Sequence, residues 1–235
     1  MKVLLIIPAY NESKSIASVV QRIVQQGYDY VVINDGSTDD TLEICKKNNL
    51  NVIDLPHNLG IGGAVQTGYK YAFRNNYDIA MQIDGDDQHD ISYIPLLVHE
   101  IENGADLAIG SRFLGEKGGF KSTFMRRVGI KWLSGLIYIL YRKRITDPTS
   151  GFRASGKKAL ALFATNYPVD YPEPESIAEL LNHRLSIVEV PVSMVERTEG
   201  KSSINALNSI YYMIKVTLAI LINSVANPAK KRDAL

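Results

Sequence analysis

Short, mostly apolar runs alternate along this chain with longer segments whose apolar residues recur three and four positions apart. The runs are Val3 to Ile7, Tyr30 to Ile33, Asn51 to Leu55, Ile79 to Ile83 and Asp106 to Ile109. None shows the two-residue alternation of a half-exposed strand, so each reads as a strand covered on both faces. Ile16, Val19, Val20, Ile23 and Val24 fall on one face of a helix, and further helices are predicted from Leu42 to Lys47, Ala64 to Arg74 and Ile91 to Glu102. Strand following helix following strand predicts an α/β fold, a mostly parallel sheet flanked by helices. Beyond Arg153 the pattern loosens, with helices expected from Lys157 to Phe163 and Ser176 to His183 and a strand from Ser186 to Val192.

In a sheet of this kind ligands gather at the carboxyl ends of the strands, and the polar, glycine-bearing segments all fall there. Ile79 to Ile83 runs into Asp84-Gly85-Asp86-Asp87-Gln88-His89. Two carboxylates one residue apart, backed by an amide oxygen, are hard ligands suited to Mg²⁺ or Mn²⁺, which in turn binds a diphosphate. The plainer reading is an acidic turn that caps a helix beginning near Ser92. Asp35, after the second strand and before Gly36-Ser37, is placed to accept hydrogen bonds from a base or ribose, or to form a helix cap with Asp39 or Asp40. Asn58-Leu59-Gly60-Ile61-Gly62-Gly63 lacks the spacing of a dinucleotide fingerprint and reads as a glycine-rich turn that lets a nucleotide approach the backbone.

With 235 residues the chain is long enough for one full core. A net charge of +1 gives no overall field for a nucleic acid, so phosphate recognition falls to local basic clusters. The single cysteine, Cys45, excludes an internal disulfide framework and reads as a small core residue. The first apolar run stops at Pro8 after five residues, too short for a secretory signal, so the expected location is the cytoplasm or the cytosolic face of a membrane.

Six segments in this order carry a resemblance: Pro8-Ala9-Tyr10-Asn11-Glu12, Asn34-Asp35-Gly36-Ser37-Thr38-Asp39, Asn58-x-Gly60, Asp84-Gly85-Asp86 with Gln88-His89, Gly110-Ser111-Arg112, and Asp147-x-x-Ser150-Gly151-Phe152-Arg153. The chain resembles family 2 glycosyltransferases, most of all the branch of dolichol-phosphate mannose synthase and bacterial polyprenyl-phosphate glycosyltransferases. The resemblance implies a GT-A fold over residues 1–203, a UDP- or GDP-linked sugar donor, a divalent cation and inversion at the anomeric carbon. It places Pro8, Tyr10, Asn11, Glu12, Asp35 and Asp84 around the nucleotide, and Asp84, Asp86 and Gln88 on the metal. Asp86, Arg112 and Asp147 fall at catalytic positions. Arg197 and Lys201 resemble a basic loop that closes over the diphosphate, although a solvated charged turn is the plainer reading.

A lipid phosphate is already an anionic nucleophile and needs cations rather than a base; Arg112, Arg126 and Arg127 match the family's acceptor-phosphate region. Val128, Trp132, Leu133, Leu136, Ile137, Leu140 and Tyr141 then form an apolar stripe bracketed by Arg126, Arg127, Lys131, Arg142, Lys143 and Arg144. Such a basic amphipathic helix suits an anionic membrane surface or packs on its own sheet. Residues 204–235 are expected to form an amphipathic C-terminal helix and basic tail, with Ile210 to Ile222 too short and polar for a confident span. That helix would lie in the interface, dock on a small membrane subunit, or bury its face against a second copy. Two features depart from the family. Ile61 stands where mannose-transferring members commonly carry lysine, and Asp170-Tyr171-Pro172-Glu173-Pro174-Glu175 is acidic and proline-stiffened. The latter reads as an extended surface turn, or else Glu173, Glu175 or Asp147 serves as base toward a hydroxyl acceptor.

Overall fold

A computed structural model describes residues 1–85, 89–114, 124–193 and 206–226. Seven strands form one sheet in the order β3-β2-β1-β4-β6-β5-β7: β1 (Val3–Ala9), β2 (Asp29–Asn34), β3 (Val52–Asp54), β4 (Ile79–Gln82), β5 (Leu107–Ser111), β6 (Arg153–Gly156) and β7 (Ile187–Pro191). All run parallel except β6, which pairs antiparallel with β4 on one side and β5 on the other. The five expected strands and the strand near Ser186 are present. The short run that makes β6, Arg-Ala-Ser-Gly, has no apolar signal, and its burial comes from insertion between two strands formed earlier in the chain.

Eight helices are described: α1 (Ile16–Gln25), α2 (Thr41–Lys47), α3 (Gly60–Arg74), α4 (Ile94–Glu102, preceded by a 3₁₀ turn at Ile91–Tyr93), α5 (Phe124–Tyr141), α6 (Lys157–Thr165), α7 (Pro172–Asn182) and α8 (Ala206–Ala226). Leu4, Ile6, Val31, Ile33, Leu107 and Ile109 point to one face of the sheet beneath α3, α6 and α7, while Leu5, Ile7, Val32, Met81 and Ala108 pack on the other face with α1 and α4. Cys45 is buried in that second layer, and its burial raises the thiol pKa.

Two expected turns are helix instead. Gly60 to Gly63 form the first turn of α3, because a neighbouring loop packs against it too closely for side chains. A Cβ on Gly62 would lie 2.1 Å from the Pro168 carbonyl oxygen and 2.2 Å from that of Val169. Gly60 alone adopts a left-handed φ, +76°, at the point where the chain turns into the helix. The acidic 170–175 segment opens α7 rather than forming a surface turn. Pro172 and Pro174 are tolerated because the first helical turn has no amide partners to lose, and both are buried.

The C-terminal helix α8 buries Val216 and Ile220 against Leu133 of α5 and Ala178 of α7, so it is docked on the main body. No described helix is long and apolar enough to cross a membrane.

Candidate active site

The chain order reverses direction in the sheet between β1, which leads outward to β2 and β3, and β4 on its other side. A cavity of about 500 Å³ opens at that switch point, where the carboxyl ends of adjacent parallel strands diverge. It is lined by residues just beyond β1 (Tyr10, Glu12), β2 (Asp35) and β4 (Asp84, Gly85), by Asn58, Gly60 and Ile61 at the start of α3, and by Gln82 and Glu173. The structure therefore gathers Pro8, Tyr10, Glu12, Asp35 and Asp84, five of the expected nucleotide residues, around one space. Asn11 stands apart from it. With φ +59° it turns away, and its side-chain oxygen accepts from the Thr38 amide at 2.8 Å while its own amide donates to Ser37 Oγ at 3.0 Å. It ties the turn after β1 to the turn after β2.

Asp35 does not cap α2. One carboxylate oxygen accepts the Leu59 amide at 2.7 Å, which holds the entrance of α3 against the cavity, and it is Asp39 that accepts the Thr41 amide at 3.0 Å. The amides of Gly60 and Gly62 are likewise taken, by Asn58 Oδ1 and the Val169 carbonyl at 3.0 Å each. The start of α3 is thus shaped by internal bonds, and Gly60 stands on the cavity wall.

The acidic segment after β4 divides its tasks. Asp90 caps the following helical turn, accepting from the Ser92 amide at 2.9 Å, so the capping reading belongs to Asp90 and not to Asp84. Asp84 faces the cavity with 36% of its side chain exposed. One oxygen accepts from Gln82 Nε2 at 3.3 Å, and the Asp84 amide donates to His89 Nδ1 at 3.1 Å. Asp86, Gln88, Arg197 and Lys201 lie outside the described residues.

The described lining holds four carboxylates, on Glu12, Asp35, Asp84 and Glu173, and no lysine or arginine. A diphosphate entering such a cavity meets like charge unless a cation accompanies it. The exposed carboxylate of Asp84 is a hard oxygen donor that fits Mg²⁺ or Mn²⁺, although no cluster of three metal-ligating side chains exists among the described residues. Burial raises the pKa of Glu173, and the positive charge of Arg153 opposes that shift.

Arg112 and Asp147 are brought together, but with each other rather than with the cavity. Arg112 Nε meets Asp147 Oδ2 at 2.6 Å and Nη2 meets Oδ1 at 2.7 Å, with the Asp147 side chain wholly buried. Glu189 on β7 secures the same turn by accepting from the Thr146 and Asp147 amides at 2.8 Å each. A carboxylate held bidentately in the interior is poorly placed to take a proton from an acceptor, so the structure argues against Asp147 as base. Arg127 is exposed on α5 and is not among the described lining residues of the cavity, and the side chain of Arg126 lies outside the described residues. Glu175 also lies off the cavity, with a pKa raised by burial and opposed by Lys215.

The sequence reading missed two residues. Gln82 is a polar side chain inside an apolar strand, and that interruption was the available signal. Arg153 is fully buried, and no carboxylate among the described residues is bonded to it. Its guanidinium donates to the carbonyls of Ser150, Pro148 and Glu173 and to Ser176 Oγ, stapling the 147–150 turn to the start of α7. Nothing in the local spacing anticipates that link across 20 residues.

Comparison with known proteins agrees with this architecture. The model of the family described as "Glycosyl transferase family 2" matches residues 4–163. The UDP-N-acetylglucosamine–dolichyl-phosphate N-acetylglucosaminyltransferase of Methanococcus voltae is 34% identical over 212 residues, 81% of this chain and 84% of that protein. The polyprenol monophosphomannose synthase of Mycolicibacterium smegmatis is 28% identical over 92% of this chain and 85% of its own length. Among solved structures, glucosyl-3-phosphoglycerate synthase from Mycobacterium tuberculosis with Mn²⁺, UDP-glucose and phosphoglyceric acid superimposes with a TM-score of 0.69 at 21% identity, covering 97% of this chain and 80% of that one. The chain belongs to glycosyl transferase family 2, and it is a glycosyltransferase with the GT-A fold.

Proposed function

We propose that this enzyme moves a sugar from a UDP- or GDP-linked donor to a polyprenyl phosphate at the cytosolic surface of a membrane, with inversion at the anomeric carbon and with Mg²⁺ or Mn²⁺. One observation carries the lipid half of this reading: α5 and α8 pack on each other, and much of their exposed surface is apolar. Of the exposed large hydrophobic residues, Met125, Val128, Trp132 and Ile139 on α5 and Tyr211, Ile214, Leu218, Leu221, Ile222 and Val225 on α8 belong to it. Trp132 Nε1 donates to Thr217 Oγ1 at 3.1 Å and joins the two stripes. Neither helix contains an acidic residue, and Arg127, Lys131, Arg142, Lys143 and Arg144 are exposed along α5 and just after it. An apolar face bordered by cations matches an anionic bilayer surface, and the named relatives that act on dolichyl and polprenol substrates fit the same acceptor class.

In this reading Asp35, Tyr10 and Glu12 enclose the nucleoside and Asp84 holds the cation with Asp86 and Gln88. A cation held there would supply positive charge against the departing diphosphate. A phosphate oxygen of the acceptor forms the new bond to the anomeric carbon from the opposite face, and the bonding pair leaves with the nucleoside diphosphate. No proton has to be removed, which agrees with the engagement of Asp147 by Arg112. Arg126, Arg127, Arg197 and Lys201 supply cations for the two phosphate groups. Transfer of a labelled sugar into an organic-extractable, mild-acid-labile product tests the proposal; label transferred only to a saccharide hydroxyl overturns it.

A second reading rests on Glu173, the carboxylate that lines the cavity from the start of α7 with a raised pKa. With a hydroxyl acceptor it is the side chain placed to act as general base.

A further inference from the structure

Gln82 is the last residue of β4 and is 1% exposed, although it borders the cavity. A buried amide in an apolar strand is costly unless its polar atoms are used. Its nitrogen donates to Asp84 Oδ1 at 3.3 Å, and its oxygen has no hydrogen-bond partner among the described residues. Reversing the amide would set that oxygen against a carboxylate, so the donor orientation is the one the charges favour.

The segment that enters the inserted strand β6 makes room for this contact. A Cβ on Gly151 would stand 2.8 Å from Gln82 Nε2 and 3.5 Å from Asp84 Oδ1, closer to the amide than a side chain tolerates. The next residue, Phe152, stacks on His89 with ring centroids 4.8 Å apart and planes at 19°. His89 accepts the Asp84 amide through Nδ1, and its Nε2 lies 3.5 Å from Asp84 Oδ2. Two adjacent residues of the Ser150-Gly151-Phe152-Arg153 segment therefore support the two side chains that flank Asp84.

We propose that Gln82 is a positioning residue for the cation site: through the space left by Gly151, its amide fixes the Asp84 carboxylate in the orientation that binds the divalent ion. The inference rests on the reading of Asp84 as a metal ligand. Groups one step behind a metal ligand set its orientation, and their loss typically weakens binding by about 10–100-fold.

The test is Mn²⁺ affinity of the full chain, measured by electron paramagnetic resonance with UDP or GDP present, for the wild type, Q82M, G151A and the double variant. Methionine keeps the length and packing of the side chain while removing the donor. Q82M should weaken Mn²⁺ binding by about tenfold. In transfer assays the Mn²⁺ concentration for half-maximal rate should rise by a similar factor, with the rate at saturating Mn²⁺ within about twofold of wild type. G151A should weaken binding in the same direction, and because both changes break one contact, the double variant should lose little more than the weaker single variant. Wild-type affinity in Q82M, or losses that multiply in the double variant, would overturn the proposal while leaving the metal reading intact. A wild type that binds no Mn²⁺ with either nucleotide overturns the metal reading and this inference together.

Discussion

Arg112 and Asp147 are joined by two parallel bonds of 2.6 and 2.7 Å in the protein interior, 35 residues apart in the chain and at the meeting of β5 with the turn that leads to β6. The pair links the strand end to that turn, and Thr149 adds a third contact to the same guanidinium at 3.0 Å. Removing one member of a buried, bidentate pair leaves a desolvated charge behind.

Asp147→Ala should accordingly lower stability by about 3–5 kcal/mol, measured by urea unfolding. Asp147→Asn keeps the shape and should cost less. Were Asp147 a base instead, the asparagine variant would keep full stability and lose the acid-side limb of its pH–rate profile.

Glu173 gives a prediction with a defined sign. Burial raises its pKa, so the folded protein favours the neutral carboxyl more than the unfolded chain does. That contribution is complete below the unfolded value and is lost as pH rises through the higher folded value. Glu173→Gln should therefore be more stable than wild type at neutral pH, with the advantage shrinking as pH falls to the ordinary glutamate range. Thermal unfolding across pH 3–8 measures it, on the order of the range where carboxylates titrate. With a polyprenyl phosphate acceptor the pH–rate profile should keep its shape in this variant; loss of the acid limb would favour the hydroxyl acceptor.

Glycines at two helical positions should respond in opposite directions. At Gly62 a methyl group collides with two loop carbonyls, and Gly62→Ala should destabilise by about 1–3 kcal/mol. At Gly135 in α5 an added Cβ would meet no described atom within 4 Å beyond its own helix backbone, and Gly135→Ala should stabilise by up to about 1 kcal/mol through the higher helix propensity of alanine. Equal effects at the two sites would contradict the packing of the 168–169 loop on α3.

The exposed ridge of α5 and α8 should bind vesicles containing anionic lipid and release them as salt rises. Leu218→Glu and Ile222→Glu, both on the exposed side of α8, should abolish sedimentation with such vesicles while leaving thermal stability within about 0.5 kcal/mol, as expected for surface changes. Persistent binding by the double variant would exclude this face as the membrane contact.

Local pattern sufficed wherever one segment contained its whole signal. The apolar runs identified β1, β2, β4 and β5 because a strand covered on both faces must be apolar throughout, and polar residues placed just after those runs had to emerge at the carboxyl edge of a parallel sheet. That much puts Asp35 and Asp84 at one edge, while Tyr10 and Glu12, which the resemblance to the family implied, line the same cavity. Asn11, by contrast, bonds the neighbouring turn, because its left-handed backbone turns its side chain toward Thr38, and the order of residues does not reveal that reversal.

What the chain's own order determined, then, was the run of strands and helices, the edge at which chemistry collects and the carboxylates that stand there, since each follows from periodicity within some ten residues. Tertiary structure alone decided that Arg112 closes on Asp147, that Glu173 reaches the cavity from a proline-led helix, and that Gln82 and Gly151 meet beside Asp84. Those relationships exist only because β6 inserts antiparallel between β4 and β5 and brings distant turns within bonding distance. Hydrogen bonds and ion pairs act over a few ångströms whatever the separation in sequence, so their partners are set by packing and not by spacing along the chain.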